Sequence, residues 1–494
     1  FCSIDGAMLD AATDDAVHIY KSSNIQRFVD GTWSANNLVD NVWGHYYEGI
    51  RAANFYLKET AGLTFDEWKY SDDYEAIMKE FTNYQYEVRF LRAYFYFELI
   101  KRYRNIPFVL DVLAQNEANG VNPESYEKIA KFIVDECSDL AQILPVNYDN
   151  FSTKEKGRVT RAAAMALKSR VTLYMASPLF SEDSEDKWKQ AAEAAYDIIK
   201  QKTDLGLDLV PYPQIFNDVN NQKAEVILYR PTGESGDFEK ANFPIGVEGG
   251  KTSTCPTQNL MEAYDMKDGT PFVWNNQSNP YDNRDPRMKY TIVCNEMKWP
   301  VDPVEIWEGG TNGLPLQNAT TTGYYLKKYV NNTISFEAGS TVTKKQHNWV
   351  LFRYGEILLN YAEAMINAFH DPNYKDAVYN MSAREAVNQI RGRTNISLPG
   401  FPSDITEKDF VKRLKNERRV ELAFEGHRFW DVRRWKELGQ TANIYGVKIT
   451  KNNEVISYEK FLLETRAVTD NMYFYPIPNT ERFKNPNLGQ NPGW

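Results

Sequence analysis

Histidine, cysteine and long apolar runs are all scarce in this chain of 494 residues. The longest strictly apolar run, residues 162–167, is far shorter than the ~20 residues that a membrane-spanning helix needs. The chain has 5 histidines and 4 cysteines. No Cys-x-x-Cys pair of a zinc site occurs among the cysteines, which are Cys2, Cys137, Cys255 and Cys294. We therefore expect no metal centre, no disulfide framework and no transmembrane segment.

Clustered positive charge and the common catalytic motifs are also missing. The net charge is −10, and no basic run is longer than Arg418-Arg419 or Arg433-Arg434, which argues against nucleic-acid binding. The sequence has no His-Glu-x-x-His, no Gly-x-Ser-x-Gly and no phosphate-binding Gly-x-x-x-x-Gly-Lys motif. We expect a protein without enzyme activity and without a cofactor.

Aromatic residues, in contrast, are abundant, at 14% of the chain. A helical core can absorb most of these rings. Surface rings that stack on flat ligands would account for some of the others.

Three regions follow one another along the chain. Residues 1–202 carry apolar stripes with helical spacing, for example at Tyr86, Phe90, Ala93 and Phe97, and a second helix is predicted over about 126–144. Residues 203–348 hold 12 of the 27 glycines and 11 of the 22 prolines, so we predict loops and short strands there, with part of a ligand face. Helical patterns return over residues 349–494, with helix predicted over 407–435 and a surface loop over 475–494. The predicted fold class is all-α.

Two stretches, at about 160–200 and 353–393, each predict a pair of helices. Both resemble tetratricopeptide units, which usually repeat every ~34 residues. Taken alone, these pairs indicate only a helical repeat scaffold.

Glu417, Glu421 and Glu425 share one face of a predicted helix, an arrangement that could hold paired catalytic carboxylates. Five arginines follow in the same segment, at positions 418, 419, 428, 433 and 434. We therefore favour a salt-bridged structural face over a catalytic pair.

Several segments together carry a more specific pattern. They are W-x3-Y-x2-I-x3-N at 43–54, FLRAYFY at 90–96, RDPR at 284–287, YAEA at 361–364, NERRVELAFEGHRFWDVRRW at 416–435, and YPIP at 475–478 with NPNLGQNPGW at 485–494. In this order over the whole chain, they resemble the SusD/RagB family of nutrient-binding outer-membrane lipoproteins.

The resemblance implies a SusD-like helical fold with embedded tetratricopeptide-like pairs. It also implies a lipid-anchored location at the surface of the outer membrane and a role in polysaccharide utilization. The protein would bind a glycan and deliver it to a TonB-dependent transporter of the SusC/RagA type. Cys2 follows only Phe1 and lacks a lipobox, so we expect the anchor to lie outside this chain.

Two other functions stay open. An α-helical glycoside hydrolase or lyase could use scattered carboxylates, and a member of the same family or a tetratricopeptide scaffold could bind peptide.

For the ligand site, the resemblance points to the loop before the W-x3-Y helix. There Trp33 would stack on sugar and Asn36 would donate or accept hydrogen bonds, with Asp14, Asp15 and Arg27 just upstream. The alternative is that Trp33 packs under the loop as a core ring. A second aromatic platform is expected in the middle region, where we choose Trp274 and Tyr281 over Trp299 and Trp307. Trp68 and Tyr70 are a further pair that could serve instead.

Overall fold

The computed structural model describes residues 3–151, 155–182, 184–276, 279–337 and 343–494. The chain divides into two compact units, and each takes in separate stretches of sequence. The first, here called the mixed unit, comprises Phe1–Thr32 and Asp208–Thr469. The second, the helical unit, comprises Trp33–Leu207 and Asp470–Trp494. The three regions drawn from the sequence follow chain order instead, and the assignment of 203–348 to a ligand face stays a prediction.

Fourteen α-helices form within the described residues. They are α1 Trp43–Glu59, α2 Tyr74–Tyr103, α3 Gln115–Ala118, α4 Tyr126–Ile143, α5 Arg161–Ala176, α6 Glu185–Lys200, α7 Asp237–Asn242, α8 Gln258–Ala263, α9 Met288–Thr291, α10 Tyr354–Phe369, α11 Ala383–Arg391, α12 Glu407–Glu421, α13 Arg428–Arg434 and α14 Asn479–Lys484. None that the structure describes has the length and apolarity needed to cross a bilayer.

Twelve short strands pair into six two-stranded antiparallel sheets in the same described ranges. The strands are β1 Ser3–Ile4, β2 Ala7–Met8, β3 Ala16–His18, β4 Ile106–Pro107, β5 Pro123–Glu124, β6 Val226–Pro231, β7 Thr254–Pro256, β8 Ile292–Val293, β9 Tyr325–Leu326, β10 Asn348–Arg353, β11 Asn443–Asn452 and β12 Val455–Thr465. The pairs are β1–β2, β3–β7, β4–β5, β6–β10, β8–β9 and β11–β12.

The apolar stripes of the sequence predicted α2, α4, α5, α6, α10 and α11, and the structure confirms all six. The two predicted helix pairs are confirmed: α5 packs against α6, and α10 packs against α11. Local capping explains where some of them begin. Ser125 accepts a hydrogen bond from the Lys128 amide at the start of α4, and Ser382 and Glu385 form a capping box at the start of α11.

The predicted helix over 407–435 is interrupted. It forms α12 and α13, separated by a turn in which Phe424 and Gly426 have φ values of 60° and 75°. A right-handed helix cannot continue through residues in that region of backbone space, so the chain changes direction there.

No strand was predicted in residues 349–494, and the structure corrects this, because β11 and β12 form a hairpin of ten and eleven residues. The turn contains Asn453 at φ 55°. The signal that the sequence offered is short: Val447 and Ile449, which are buried, alternate with the more exposed Lys448 and Thr450.

The expectation of a surface loop over 475–494 was also wrong. Tyr475, Ile477 and Leu488 are buried, and the segment contains α14. Tyr475 donates its amide to the Arg102 carbonyl at 2.7 Å, and the Asn491 side chain donates to the Tyr103 carbonyl at 3.1 Å. A backbone amide and an asparagine side-chain amide thus satisfy the last two carbonyls of α2 and fix the tail to the helical unit.

Cys2 lies outside the described residues. The thiols of Cys137, Cys255 and Cys294 are buried and free.

Candidate functional site

The loop predicted to bind ligand places its two named residues differently. Trp33 is only 4% exposed, and its ring centroid lies 4.8 Å from those of Tyr475 and Trp494, which it meets in edge-to-face geometry. Asn36 is exposed, and its Oδ1 accepts a hydrogen bond from the side-chain NH₂ group of Asn479 at 2.8 Å. Trp33 thus packs as a core ring in this structure, which is the alternative stated above, while Asn36 is accessible. A direct ligand contact of Trp33 stays a prediction.

Asp14 and Asp15 are buried and ion-paired. They precede β3, and Thr257 holds their backbone by donating to both carbonyls, from its hydroxyl to Asp14 and from its amide to Asp15. Arg428 contacts both carboxylate oxygens of Asp14 at 2.9 and 3.0 Å, and Arg419 reaches Asp14 at 2.9 Å and Asp15 at 2.6 Å. Their carboxylates are therefore closed off from solvent behind two arginines.

The pKa values of these two carboxyls are shifted in opposite directions. Burial alone would raise the pKa of Asp14, but the guanidinium groups of Arg419 and Arg428 lower it below its ordinary value. Burial raises the pKa of Asp15, because Arg419 offsets only part of that effect and Asp14 adds a like charge. Arg27, the third predicted residue upstream, is half-buried in the turn Asn24–Phe28.

Trp274 is half-buried and packs against the ring of Phe272. Its indole NH donates to the Asn276 side-chain oxygen. Its ring lies 6.4 Å from Phe272 at 72°, and the guanidinium of Arg284 lies 3.7 Å from the Phe272 ring centroid. Phe272 is thus clamped between a cation and a second ring, and it holds Trp274 at the surface.

Tyr281, the other predicted ring of the middle region, packs inward. It meets Tyr324 and Tyr458 edge-on at 6.2 and 5.3 Å, and burial raises the pKa of its phenol well above the ordinary value. Tyr281 therefore packs against these two tyrosine rings, and a ligand contact by its own ring stays a prediction.

A groove of about 870 Å³ runs along α12 and is called here the α12 groove. Pro271, Phe272, Pro402 and Ile405 supply apolar wall. Its polar lining includes Glu262, Asp265, Lys408, Lys412, Arg413, Lys415, Asn416, Arg419 and Arg428. An apolar wall beside hydrogen-bonding groups of both kinds is suited to a saccharide, which presents CH faces and hydroxyls.

Three of the predicted residues do not line the α12 groove but contact residues that do. Asp14 and Asp15 are ion-paired with Arg419 and Arg428, two of the three arginines of its lining, and Trp274 packs against Phe272 of its wall. The sequence analysis missed Phe272, although the motif Pro271-Phe272-Val273-Trp274 places it two residues from the chosen tryptophan.

Glu417, Glu421 and Glu425 are engaged in ion pairs, which confirms a salt-bridged face, but their partners are not the five arginines of the same segment that the sequence suggested. Their partners are Arg287, Arg353, Arg391, Arg393 and Lys328, at 2.5–2.9 Å. Burial alone would raise the pKa of each carboxyl, but the surrounding cations lower all three below their ordinary values. All three are ionised at neutral pH, so none is poised as a proton donor.

The arginines next to these glutamates in sequence have other partners. Arg418 and Arg434 both pair with Asp431, at 2.8 Å each, and Arg434 also binds Glu363. Among the described residues, no cluster of three or more His, Cys, Asp or Glu side chains has the geometry to hold a metal ion.

Two family models match the chain. One, described as the SusD family, matches residues 215–494, which is more than half of the chain. The other, described as starch-binding associating with outer membrane, matches residues 5–173.

Individual relatives match over almost the whole length. SusD-like protein P2 of Formosa agariphila is 23% identical over 93% of this chain and 81% of its own. The crystal structure of a SusD-like protein from Bacteroides fragilis superposes with a TM-score of 0.80 at 26% identity, covering 100% of this chain and 94% of that one. A SusD-like carbohydrate binding protein from the same organism gives 0.79 at 25% identity, covering 97% and 92%.

Proposed function

The chain belongs to the SusD family, and we propose from this premise that it is a glycan-binding protein of the outer-membrane surface without catalytic activity. The match of more than half of the chain to the family model carries this proposal. The second model, whose description names starch binding and the outer membrane, supports both the ligand class and the location. The relative described as carbohydrate binding supports the ligand class independently.

Delivery to a TonB-dependent transporter and attachment to the outer membrane by a lipid anchor complete the proposal. We expect the transporter to contact the helical scaffold and not the loops of residues 203–348, because stacked helix pairs offer reproducible docking surfaces. Crosslinking followed by mass spectrometry in outer membranes tests this. Crosslinks that fall mainly in residues 203–348 would contradict it.

We propose the α12 groove as the place where glycan binds. Trp274 offers a half-exposed ring beside Phe272 of the groove's wall, and Arg419 and Arg428 are held in place by buried Asp14 and Asp15. A pre-positioned guanidinium loses little entropy when it binds a sugar hydroxyl, and a held ring loses little when it stacks. In this proposal Asp14 and Asp15 do not bind the glycan themselves. They position Arg419 and Arg428, which do.

The test compares Trp274→Ala with the parent protein by titration against whichever glycan of a polysaccharide panel binds. Truncation of a stacked ring costs about 1–3 kcal/mol, so we expect roughly 5- to 150-fold weaker binding with an unchanged melting temperature. Trp68→Ala is the matched control, since Trp68 is 49% exposed and lies in the other unit. Unchanged affinity in Trp274→Ala, or a loss in Trp68→Ala alone, would move the site away from the α12 groove.

A further inference from the structure

A second pocket of the mixed unit, of about 400 Å³, lies between Trp299 and the segment that follows β9. It is called here the Trp299 pocket. Its volume falls within the range of roughly 300–1,000 Å³ of small-ligand sites. Its aromatic lining consists of Phe216, Tyr290, Trp299 and Tyr329.

The charge of this pocket is one-sided. Lys327, Lys328 and Lys345 line it together with His347, whose ring nitrogen lies 3.0 Å from Glu239, and Asp218 is the single acid of the described lining. Asp218 lies at 3.6 Å from Lys345, and both are partly exposed. The chain as a whole carries a net charge of −10, so a positive pocket runs against its general composition.

Two neighbouring lysines differ in how their charges are compensated. Lys328 is fully buried and binds Glu425 at 2.9 Å. Lys327 is half-buried, and within the described residues its ammonium contacts only the sulfur of Met297 at 3.6 Å and the Trp299 ring, whose centroid lies at 4.8 Å. Burial lowers the pKa of Lys327 below its ordinary value, and no described carboxylate pairs with it. The pocket therefore holds a cation that lacks a counter-charge.

Amide donors lie in the same pocket. The side-chain oxygen of Asn217 accepts from the Val219 amide at 3.3 Å, and that of Asn331 accepts from the amide and hydroxyl of Thr333 at 3.0 and 2.7 Å. Because these turns use the oxygens, the NH₂ groups are left as donors, and neither donates to another part of the chain that the structure describes. An ammonium with two amide NH₂ groups is a donor set for an anion.

We propose that the Trp299 pocket binds the carboxylate or sulfate group of an acidic sugar, with Lys327 as counter-charge and Asn217 and Asn331 as hydrogen-bond donors. This inference rests on the proposed glycan binding and specifies its ligand class. Half-buried Phe216 and Tyr290 supply the apolar contact that the sugar ring needs. The net negative charge of the chain repels polyanions in general, so binding of an acidic glycan requires such a local site.

The test uses two matched probe pairs, oligogalacturonate with its methyl ester and dextran sulfate with dextran, titrated at constant ionic strength. We expect at least one of the two charged probes to bind tenfold or more tightly than its uncharged counterpart. A preference for oligogalacturonate identifies a carboxylate as the bound group, and a preference for dextran sulfate identifies a sulfate. Lys327→Met keeps the apolar stem over Trp299, so it should remove this preference without lowering the melting temperature. Lys251→Met, at an exposed lysine of the same unit, should leave it intact.

Two further variants guard against a loss that reflects folding. Lys327→Arg retains the charge and should retain the preference, whereas Asn217→Ala should weaken binding of the charged probe several-fold. The inference is overturned if neither charged probe binds, or if Lys327→Met binds it as the parent does. Binding of neutral glycans alone would overturn this inference and leave the proposed function standing. Absence of binding to any glycan of the wider panel would overturn both.

Discussion

At the scale of single residues, burial decides which of the predicted positions are accessible from solvent. The sequence placed a tryptophan, two aspartates and an asparagine near one another, but Trp33, Asp14 and Asp15 are buried while Asn36 is exposed. The face shared by Glu417, Glu421 and Glu425 was predictable from their spacing. Their partners were not, because cations such as Arg287 and Arg353 lie 134 and 68 residues from Glu421. Only the tertiary fold brings such pairs together.

Asp10 gives the clearest residue-level prediction. It is buried beside Asp15, and its Oδ1 accepts the Phe424 amide at 3.1 Å. Burial, with repulsion from Asp15, raises the pKa of Asp10 from 3.8 to about 7. The folded state therefore retains a proton that the unfolded state releases, so Asp10 costs stability progressively as pH rises from about 4 to about 7.

Asp10→Asn should remove this cost while keeping an acceptor for Phe424. In urea unfolding, we expect the free energy of unfolding of the variant to gain on the parent between pH 4 and 7 and to hold that advantage above pH 7. Asp72→Asn, at an exposed position, should follow the parent throughout. A difference between Asp10→Asn and the parent that is constant with pH would show that Asp10 is not protonated in the fold.

At the scale of elements, helices were predictable and their interruptions were not. Apolar stripes identified α2, α4, α5, α6, α10 and α11 because a buried helix face repeats within one segment. The turn between α12 and α13 and the docked tail depend on contacts with distant chain, as the bond from Tyr475 to the Arg102 carbonyl illustrates. The β11–β12 hairpin was missed, although its alternating pattern and asparagine turn were visible in the sequence.

Two glycines offer a matched test of the turn that separates α12 from α13. A Cβ added at Gly426 or at Gly44 would meet no atom within 4 Å, but Gly426 has φ 75° whereas Gly44 lies in α1. We expect Gly426→Ala to lower the free energy of unfolding by about 1–2 kcal/mol, because an L-residue is strained there. Gly44→Ala should be neutral or stabilise by up to ~1 kcal/mol. Equal effects in chemical denaturation would contradict a left-handed backbone at Gly426.

At the scale of the whole molecule, the family was accessible from the sequence and the division into two units was not. The motifs at 43–54 and 485–494 belong to the helical unit, and the motif at 416–435 belongs to the mixed unit. Their order along the chain therefore indicates the fold but does not indicate which stretches pack together. The candidate site follows the same rule. Trp274 could be chosen from composition, but the α12 groove requires Phe272 and α12 to meet across more than a hundred residues of sequence.

The central claim is that this protein binds a glycan and leaves it chemically unchanged. The most direct measurement is isothermal titration with a panel of neutral and acidic oligosaccharides, followed by product analysis of each mixture after prolonged incubation. We predict saturable binding to at least one glycan, with no new reducing ends and no unsaturated products. Cleavage of the bound glycan, or failure to bind any member of the panel, would contradict the account.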